Sequence, residues 1–461
     1  MKRLGRWTAL AAVAAVVATG TNAAENARRF QLMTLDPGHF HAALVQKFMY
    51  GDVDPLVHVY APPGDDVALH LKRIEGFNSR TQDPTSWQTK TYTGSDFLEK
   101  MLAEKPGNIV VLAGNNARKT DYILESVQAG LNVLADKPMA ITPADYEKLE
   151  QAFATAKAKG VLLYDIMTER FEITSILQRE LSQNRELFGE LTRGSAKEPA
   201  IVKESVHHFA KEVAGSPLIR PQWFFDVRQE GEGIVDVTTH LVDLVQWQAF
   251  PEQTLSPSDA KVLSARRWST PMTPAQFKQV TGASSFPDYL QRDVRDGKLE
   301  VFSNGEFTYR LRDVHARIAV IWNFEAPPGT GDTHFSTMRG SKAALTIRQG
   351  APEKYRPVLY IQKAANVETA AHERAVKSAI ASLQKEYPGV GVRRATQGEK
   401  ADWVVTVPER YSVGHEAHFA QVTENFLGYL REKNMPAWEV PNMLTKYATI
   451  MQAYEMSRKG E

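Results

Sequence analysis

The chain has 461 residues, 43% hydrophobic and 24% charged, an ordinary globular composition long enough for about two to three domains. Its formal net charge is +1 and it contains no cysteine. The charge balance offers nothing to attract nucleic acid, and the lack of cysteine excludes disulfides, thiolate catalysis and cysteine-ligated zinc or iron–sulfur sites.

The first residues read MKRLGRWTALAAVAAVVATGTNAA. Three cations, an apolar run from Trp7 to Val17 and small residues before Ala23 and Ala24 predict an export signal over residues 1–24. The run is shorter than the roughly 20 residues a membrane span needs, so no membrane contact is expected after cleavage. Cleavage removes Lys2, Arg3 and Arg6 and no acid, taking the formal charge from +1 to −2. Lys2-Arg3 is not the Arg-Arg pair of a twin-arginine signal. A Sec-type route to the periplasm then delivers an unfolded chain, which must acquire any cofactor outside the cytoplasm.

From Phe30 to Ile166 short apolar runs alternate with amphipathic stretches. FQLMTLD reads as a strand, HAALVQKFMYG as a helix, LVHVYAP as a strand, SDFLEKMLAEK as a helix opened by Ser95, and NIVVLAG as a strand. KTDYILESVQAG reads as a helix closed by Gly130, NVLAD as a strand, and TPADYEKLEQAFATAKAKG as a helix capped by Thr142 with Pro143 in its first turn; VLLYDI ends the series. Apolar strands joined by helices predict a doubly wound parallel sheet, a Rossmann-type domain over residues 25–166.

Beyond Glu169, a helix at EITSILQRELSQN precedes longer alternating stretches: FGELTRGSAK, KLEVFSNGEFTYRLR, ARIAVIWNFEA and AALTIRQ, with Asn304-Gly305 as turn residues. They predict a second, α+β domain over residues 167–461 with a large, mostly antiparallel open sheet. Residues 366–410 read as a helix–strand–strand insertion, and a closing helix covers about 441–459.

Two stretches carry chemistry. In VLADKPMAIT, Lys137 stands at the carboxyl end of a strand, where open α/β sheets bind ligands, and Pro138 stops the strand and biases Lys137 to an extended backbone. In EGEGIVDVTTHLVDLVQW, Asp236, His240 and Asp243 lie four and then three apart and share a face if helical. A histidine beside a carboxylate is a proton-transfer pair.

Together the two stretches resemble the Gfo/Idh/MocA family, that of glucose-fructose oxidoreductase and inositol dehydrogenase. The family's Glu-Lys-Pro is matched by Asp136-Lys137-Pro138, and its glycine turn, aspartate and histidine by Gly231, Gly233, Asp236 and His240. The order of the motifs, their separation of about 100 residues and the closing helix also fit, and TERF (168–171) looks like the family's crossing between domains.

The resemblance implies a nicotinamide dinucleotide, NAD favoured over NADP, and a sugar or glycoside substrate. It implies His240 as the base that takes the hydroxyl proton, Asp236 as its orienter or a hydroxyl ligand, and Lys137 as the cation polarising the oxygen. Pro37, Gly38, His39, Phe40, Tyr60, Gly114, Asn115, Asn116, Asp136 and Lys137 are the expected cofactor contacts. Glu169, Arg170, His207, His208, Lys211, Arg220, Trp223, Asp236 and His240 are the expected substrate contacts. By the same analogy the second-domain sheet packs against another copy in a homo-oligomer. The net reaction stays open between oxidation to a keto-glycoside and redox-neutral cleavage by oxidation, elimination and re-reduction, and a carbohydrate-binding relic of the fold is the non-catalytic rival.

The pattern departs from the family at the phosphate loop. Gly-x-Gly-x-x-Gly is replaced by LDPGHFHAAL, where Gly38 stands alone, although the following helix amino terminus is expected to remain available to an anion. The second strand does not end in an acid, which leaves Asp65 or Asp66 as candidate ribose ligands. No metal is expected: the histidines cluster in DPGHFH, SVHHF, GDTHF and GHEAHF, a metal site would need three or more to converge, and His415-Glu416-Ala417-His418 lacks the spacing of a helical zinc motif.

Overall fold

The computed structural model describes residues 30–213 and 216–459, so the predicted export signal lies outside the described residues. The first domain is a six-stranded parallel sheet in the order β3-β2-β1-β4-β5-β6. Its strands are β1 (Leu32–Leu35), β2 (Leu56–Ala61), β3 (Gln88–Thr93), β4 (Ile109–Leu112), β5 (Asn132–Asp136) and β6 (Leu163–Ile166). Helices α1 (His41–Leu44), α2 (Asp65–Ser79), α3 (Phe97–Glu104), α4 (Lys119–Gln128) and α5 (Pro143–Lys159) make the crossovers. The central strands are buried on both faces, which is why they read as unbroken apolar runs. Thr142 caps α5 as its sequence predicts, its hydroxyl accepting from the Asp145 amide at 3.2 Å.

The phosphate-loop region differs from expectation. The helix predicted over 41–51 has only the four residues of α1; beyond Leu44 the chain closes into i→i−3 bonds, Gln46 to Ala43 and Lys47 to Leu44, and turns away. A single turn assembles no helix-terminal anion site, so that expectation is withdrawn.

The second domain begins with α6 (Ile173–Ser182) and β7 (Ile201–Ala210), followed by the small hairpin β8 (Glu212–Val213) and β9 (Ser216–Pro217) and by α7 (Thr238–Ala249). Next come β10 (Ala260–Met272), α8 (Pro274–Thr281), β11 (Val294–Arg295), β12 (Lys298–Leu311), β13 (Val314–Glu325), β14 (Thr333–Arg339), β15 (Ala343–Gln349) and β16 (Val358–Lys363). The chain ends with α9 (Thr369–Leu383), β17 (Gly391–Arg394), β18 (Trp403–Thr406), α10 (His415–Glu432) and α11 (Glu439–Ser457). The ten-stranded sheet runs β10-β12-β13-β7-β14-β15-β16-β18-β17, with β11 on β12, and is antiparallel except where β7 meets β13.

FGELTRGSAK forms no strand, only isolated bridges from Leu191 to Gly340 and from Gly194 to Pro199. Asn304-Gly305 is not a turn either: β12 runs straight through it. A Cβ on Gly305 would lie 2.4 Å from Ile234 Cβ, and one on Gly233 would lie 1.7 Å from the Ser303 carbonyl oxygen. The pair of glycines lets the turn ahead of α7 press onto the sheet, so the glycine serves close approach rather than reversal.

The C-terminal helices belong to both domains. Phe419, Val422, Phe426 and Leu427 of α10 and Met443 and Tyr447 of α11 pack into the core of the first sheet, while Ile450, Met451 and Ala453 pack into that of the second. No helix among the described residues is long and apolar enough to cross a membrane.

Candidate active site

Lys137 directly follows β5, is joined to Pro138 by a cis peptide and forms an ion pair with Asp236, both side chains nearly buried. Burial works against the lysine charge, but Asp236, Asp136 and Glu230 outweigh it and raise the Lys137 pKa above its ordinary value. The ammonium is therefore a fixed cation at the meeting of the two domains. The turn that carries Asp236 is anchored by the Gly233 contact with β12, so both partners are placed by rigid elements.

His240 lies in the first turns of α7, and its Nδ1 is buried without a hydrogen-bond partner. Asp236 precedes the helix and is turned to Lys137, so it does not orient His240 as expected. Asp243, on the same helix, accepts from Arg170 at 2.6 and 2.8 Å and from Lys446 at 2.9 Å. Burial, then the charge of Lys137, hold the His240 pKa well below 6.5, so its imidazole is neutral at pH 7. A neutral imidazole next to a fixed cation can take a proton while the cation steadies a developing alkoxide.

Several expected site residues have other work. Arg170 is buried and fully engaged by Asp243 and by Glu439 at 3.0 and 3.1 Å, a structural ion network instead of a substrate contact. Tyr60 is core, its hydroxyl bound to Glu104 at 2.5 Å. The Asn115 side chain donates to Gln229 at 2.6 Å, and Asn116 donates to the Gln229 and Glu230 carbonyls, each at 2.7 Å; the β4 loop thus ties the two domains instead of presenting free amides to a cofactor. Gly114 packs on the Asp36 carbonyl. Asp136 turns its carboxylate to His41 Nδ1 at 2.9 Å, with His39 Nδ1 at 3.9 Å, while its carbonyl accepts from Lys119 at 3.1 Å.

His207 and His208 near the end of β7 and Lys211 just beyond it converge on Asp332 at 3.5, 2.9 and 2.8 Å. Burial would raise the Asp332 pKa, but His207 and Lys211 hold it well below the carboxylate range. Arg220 donates to the Phe209 and His208 carbonyls and stacks on Phe224 and Trp322, its pKa pushed down to about 10 by burial. Glu169 is pushed up to about 7 by its confinement and by Glu172. His415, at the start of α10, lies 3.8 Å from Glu169 and 5.6 Å ring to ring from His41. The sequence shows His415 only as part of a failed zinc motif, because the residues it meets here lie hundreds of positions away.

A cavity of about 690 Å³ opens at the carboxyl ends of β1 and β2, lined by Asp36, Pro37, Gly64, Asp65, Asp66, Arg220, Trp223 and Tyr289. This is the position of a dinucleotide's adenosine half in a doubly wound fold, and Asp65 and Asp66 suit ribose hydroxyls there. A 2′-phosphate would meet like charge. Trp223 sits here rather than on a sugar site: its indole donates to Asp66 at 2.7 Å and lies so close to Gly38 that a Cβ would be 2.9 Å from Cζ2. The residues fit a dinucleotide at its ribose end and, through Lys137, at its reacting end; the lone Gly38 backs onto Trp223.

Residues 69–164 match the family model described as "Oxidoreductase family, NAD-binding Rossmann fold", and residues 177–458 match the one described as "Putative oxidoreductase C terminal domain". A protein from Parabacteroides merdae ATCC 43184, whose crystal structure is described as that of a "putative oxidoreductase", is 54% identical with a TM-score of 0.91, over 94% of this chain and 98% of that one. The WlbA dehydrogenase from Bordetella pertussis, solved with NADH and UDP-GlcNAcA, shares the fold at 15% identity and TM-score 0.53, over 94% and 97% of the two chains. Levoglucosan dehydrogenase, solved with NADH and levoglucosan, shares it at 10% identity and TM-score 0.56, over 94% and 98%. No curated protein matches the chain.

Proposed function

The chain belongs to the Gfo/Idh/MocA oxidoreductase family, with an NAD-binding Rossmann domain, and from that premise we propose that it oxidises a hydroxyl group of a sugar or glycoside. The observation that carries this reading is the buried Lys137–Asp236 pair beside the neutral His240. His240 accepts the proton of the substrate hydroxyl, Lys137 stabilises the oxygen as charge develops, and Asp236 fixes the ammonium by pairing with it. A bound nicotinamide dinucleotide supplies the hydride acceptor. Asp65 and Asp66 hold its ribose and favour NAD over NADP. His208, Lys211 and Asp332 offer hydroxyl ligands, and Glu169 a carboxyl group that can donate or accept a proton near neutral pH. The two distant relatives solved with a sugar nucleotide and with levoglucosan support the substrate class.

Export to the periplasm, with a tightly held, internally recycled cofactor, and a homo-oligomeric assembly complete the proposal. Redox-neutral glycoside cleavage uses the same residues and differs in net reaction. The crowded Gly38 loop favours a second reading, a carbohydrate-binding protein that no longer turns over. The deciding experiment purifies the protein without added cofactor, denatures it and identifies any released dinucleotide by mass, then incubates native protein with glycosides. Stoichiometric NAD with a keto product supports oxidation, and cleavage without added oxidant supports the internal cycle. An empty protein that binds neither dinucleotide sinks both and leaves the binding reading.

A further inference from the structure

Where a dinucleotide loop carries glycines, this chain carries His39-Phe40-His41, and the short turn of α1 aims both imidazoles at one carboxylate oxygen. His41 Nδ1 lies 2.9 Å and His39 Nδ1 3.9 Å from Asp136 Oδ2, and the three donor atoms all lie within 4.8 Å of one another. We propose that His39, His41 and Asp136 form a site for one divalent transition-metal cation of the zinc or cobalt type. Two imidazole nitrogens and a carboxylate oxygen at about 2.0–2.2 Å from such an ion stand roughly 3 to 3.5 Å apart, so modest side-chain adjustment closes the set. This donor set leaves at least one coordination position open, as metal sites that bind substrate do.

A second observation comes from a different part of the chain. The His415 ring at the start of α10 is 5.6 Å from that of His41, and Glu169 lies 3.8 Å from His415, so two further groups of donor type border the three. Lys119 and Lys137 bear on both imidazoles and oppose a further cation, which the carboxylate of Asp136 has to offset. One competing arrangement uses the same atoms, with His39 Nδ1 taking the His41 amide at 3.3 Å and His41 simply donating to Asp136. The proposal does not rest on sugar oxidation.

The test is a Co²⁺ titration of chelator-treated full-length protein, followed by visible absorption and by metal analysis after gel filtration. One equivalent of bound cobalt with a ligand-field band is expected, displaced by Zn²⁺, weakened at least tenfold in His39→Ala and abolished in His41→Ala. His315→Gln, remote from the cluster, should bind as the parent does. His39 is the most exposed of the three, so His39→Ala keeps the test decisive if His41→Ala fails to fold. Absence of saturable binding by the parent protein, or binding indifferent to His39→Ala, overturns the site. Released dinucleotide is measured on the same preparations, so the metal site and the redox reading fail separately.

Discussion

Lys137 and Asp236 come from different domains, 99 residues apart in the chain, and meet as a buried ion pair. Lys137→Met leaves Asp236 buried without its ion-pair partner and removes the cation proposed to meet the alkoxide. It is expected to lower kcat by about 10²–10³-fold, while Asp236→Asn, which keeps a hydrogen-bond acceptor, costs less. Steady-state kinetics with dinucleotide occupancy measured in parallel checks this, since a purely structural role would empty the cofactor site instead.

His240→Asn is expected to lower kcat by about 10²–10⁴-fold with little change in dinucleotide binding. After burial, the charge of Lys137 is the next cause of the depressed His240 pKa. Removing it in Lys137→Met therefore moves the His240 titration to higher pH, toward 6.5, which imidazole NMR can follow. A titration that stays put or moves lower refutes the coupling.

Glu169, held at about 7, puts an ionisation in the middle of the working pH range. A limb near pH 7 in kcat/KM is expected for the parent and is lost in Glu169→Gln.

Gly38→Ala sets a methyl 2.9 Å from Trp223 Cζ2 and 3.0 Å from Asp66 Oδ2. It is expected to weaken NAD binding about tenfold by pushing Trp223 into the cavity while leaving the thermal midpoint within a few degrees. Asp66→Ala should weaken NAD similarly and narrow the preference over NADP, both read by fluorescence titration.

Lys203 is fully buried on β7, donating to Gln248 at 2.6 Å and Ser336 at 2.7 Å, with its pKa pushed down to about 7 by burial. Between pH 7 and about 10.4 the unfolded chain binds this proton and the native chain does not, so stability rises with pH across that window. Lys203→Met is expected to flatten the rise and to lift the thermal midpoint at pH 7, which calorimetry across the window measures.

Much of the first domain was legible because a parallel sheet buried on both faces leaves unbroken apolar runs such as NIVVLAG. β3, QTKTYT, was not, because it is an exposed edge strand and reads as polar. Lys137, Asp236 and His240 stood out by spacing, but their partners did not. The shared-face argument failed for Asp236 because α7 begins only at Thr238. Arg170 reads like a cleft residue until Glu439, 269 positions on, is seen to engage it. Asn304-Gly305 has the composition of a turn, and only the approach of Ile234 tells why a strand should carry it.

The packing of α10 and α11 into the first sheet ties the beginning of the chain to its end. Phe419 and Phe426, wholly buried against strands made some 300 residues earlier, are needed before that sheet has its last apolar cover. During synthesis the nucleotide-binding half therefore waits, unfinished, for nearly the whole polypeptide to emerge. A fragment cut at residue 166 would inherit a sticky face in place of an independent domain.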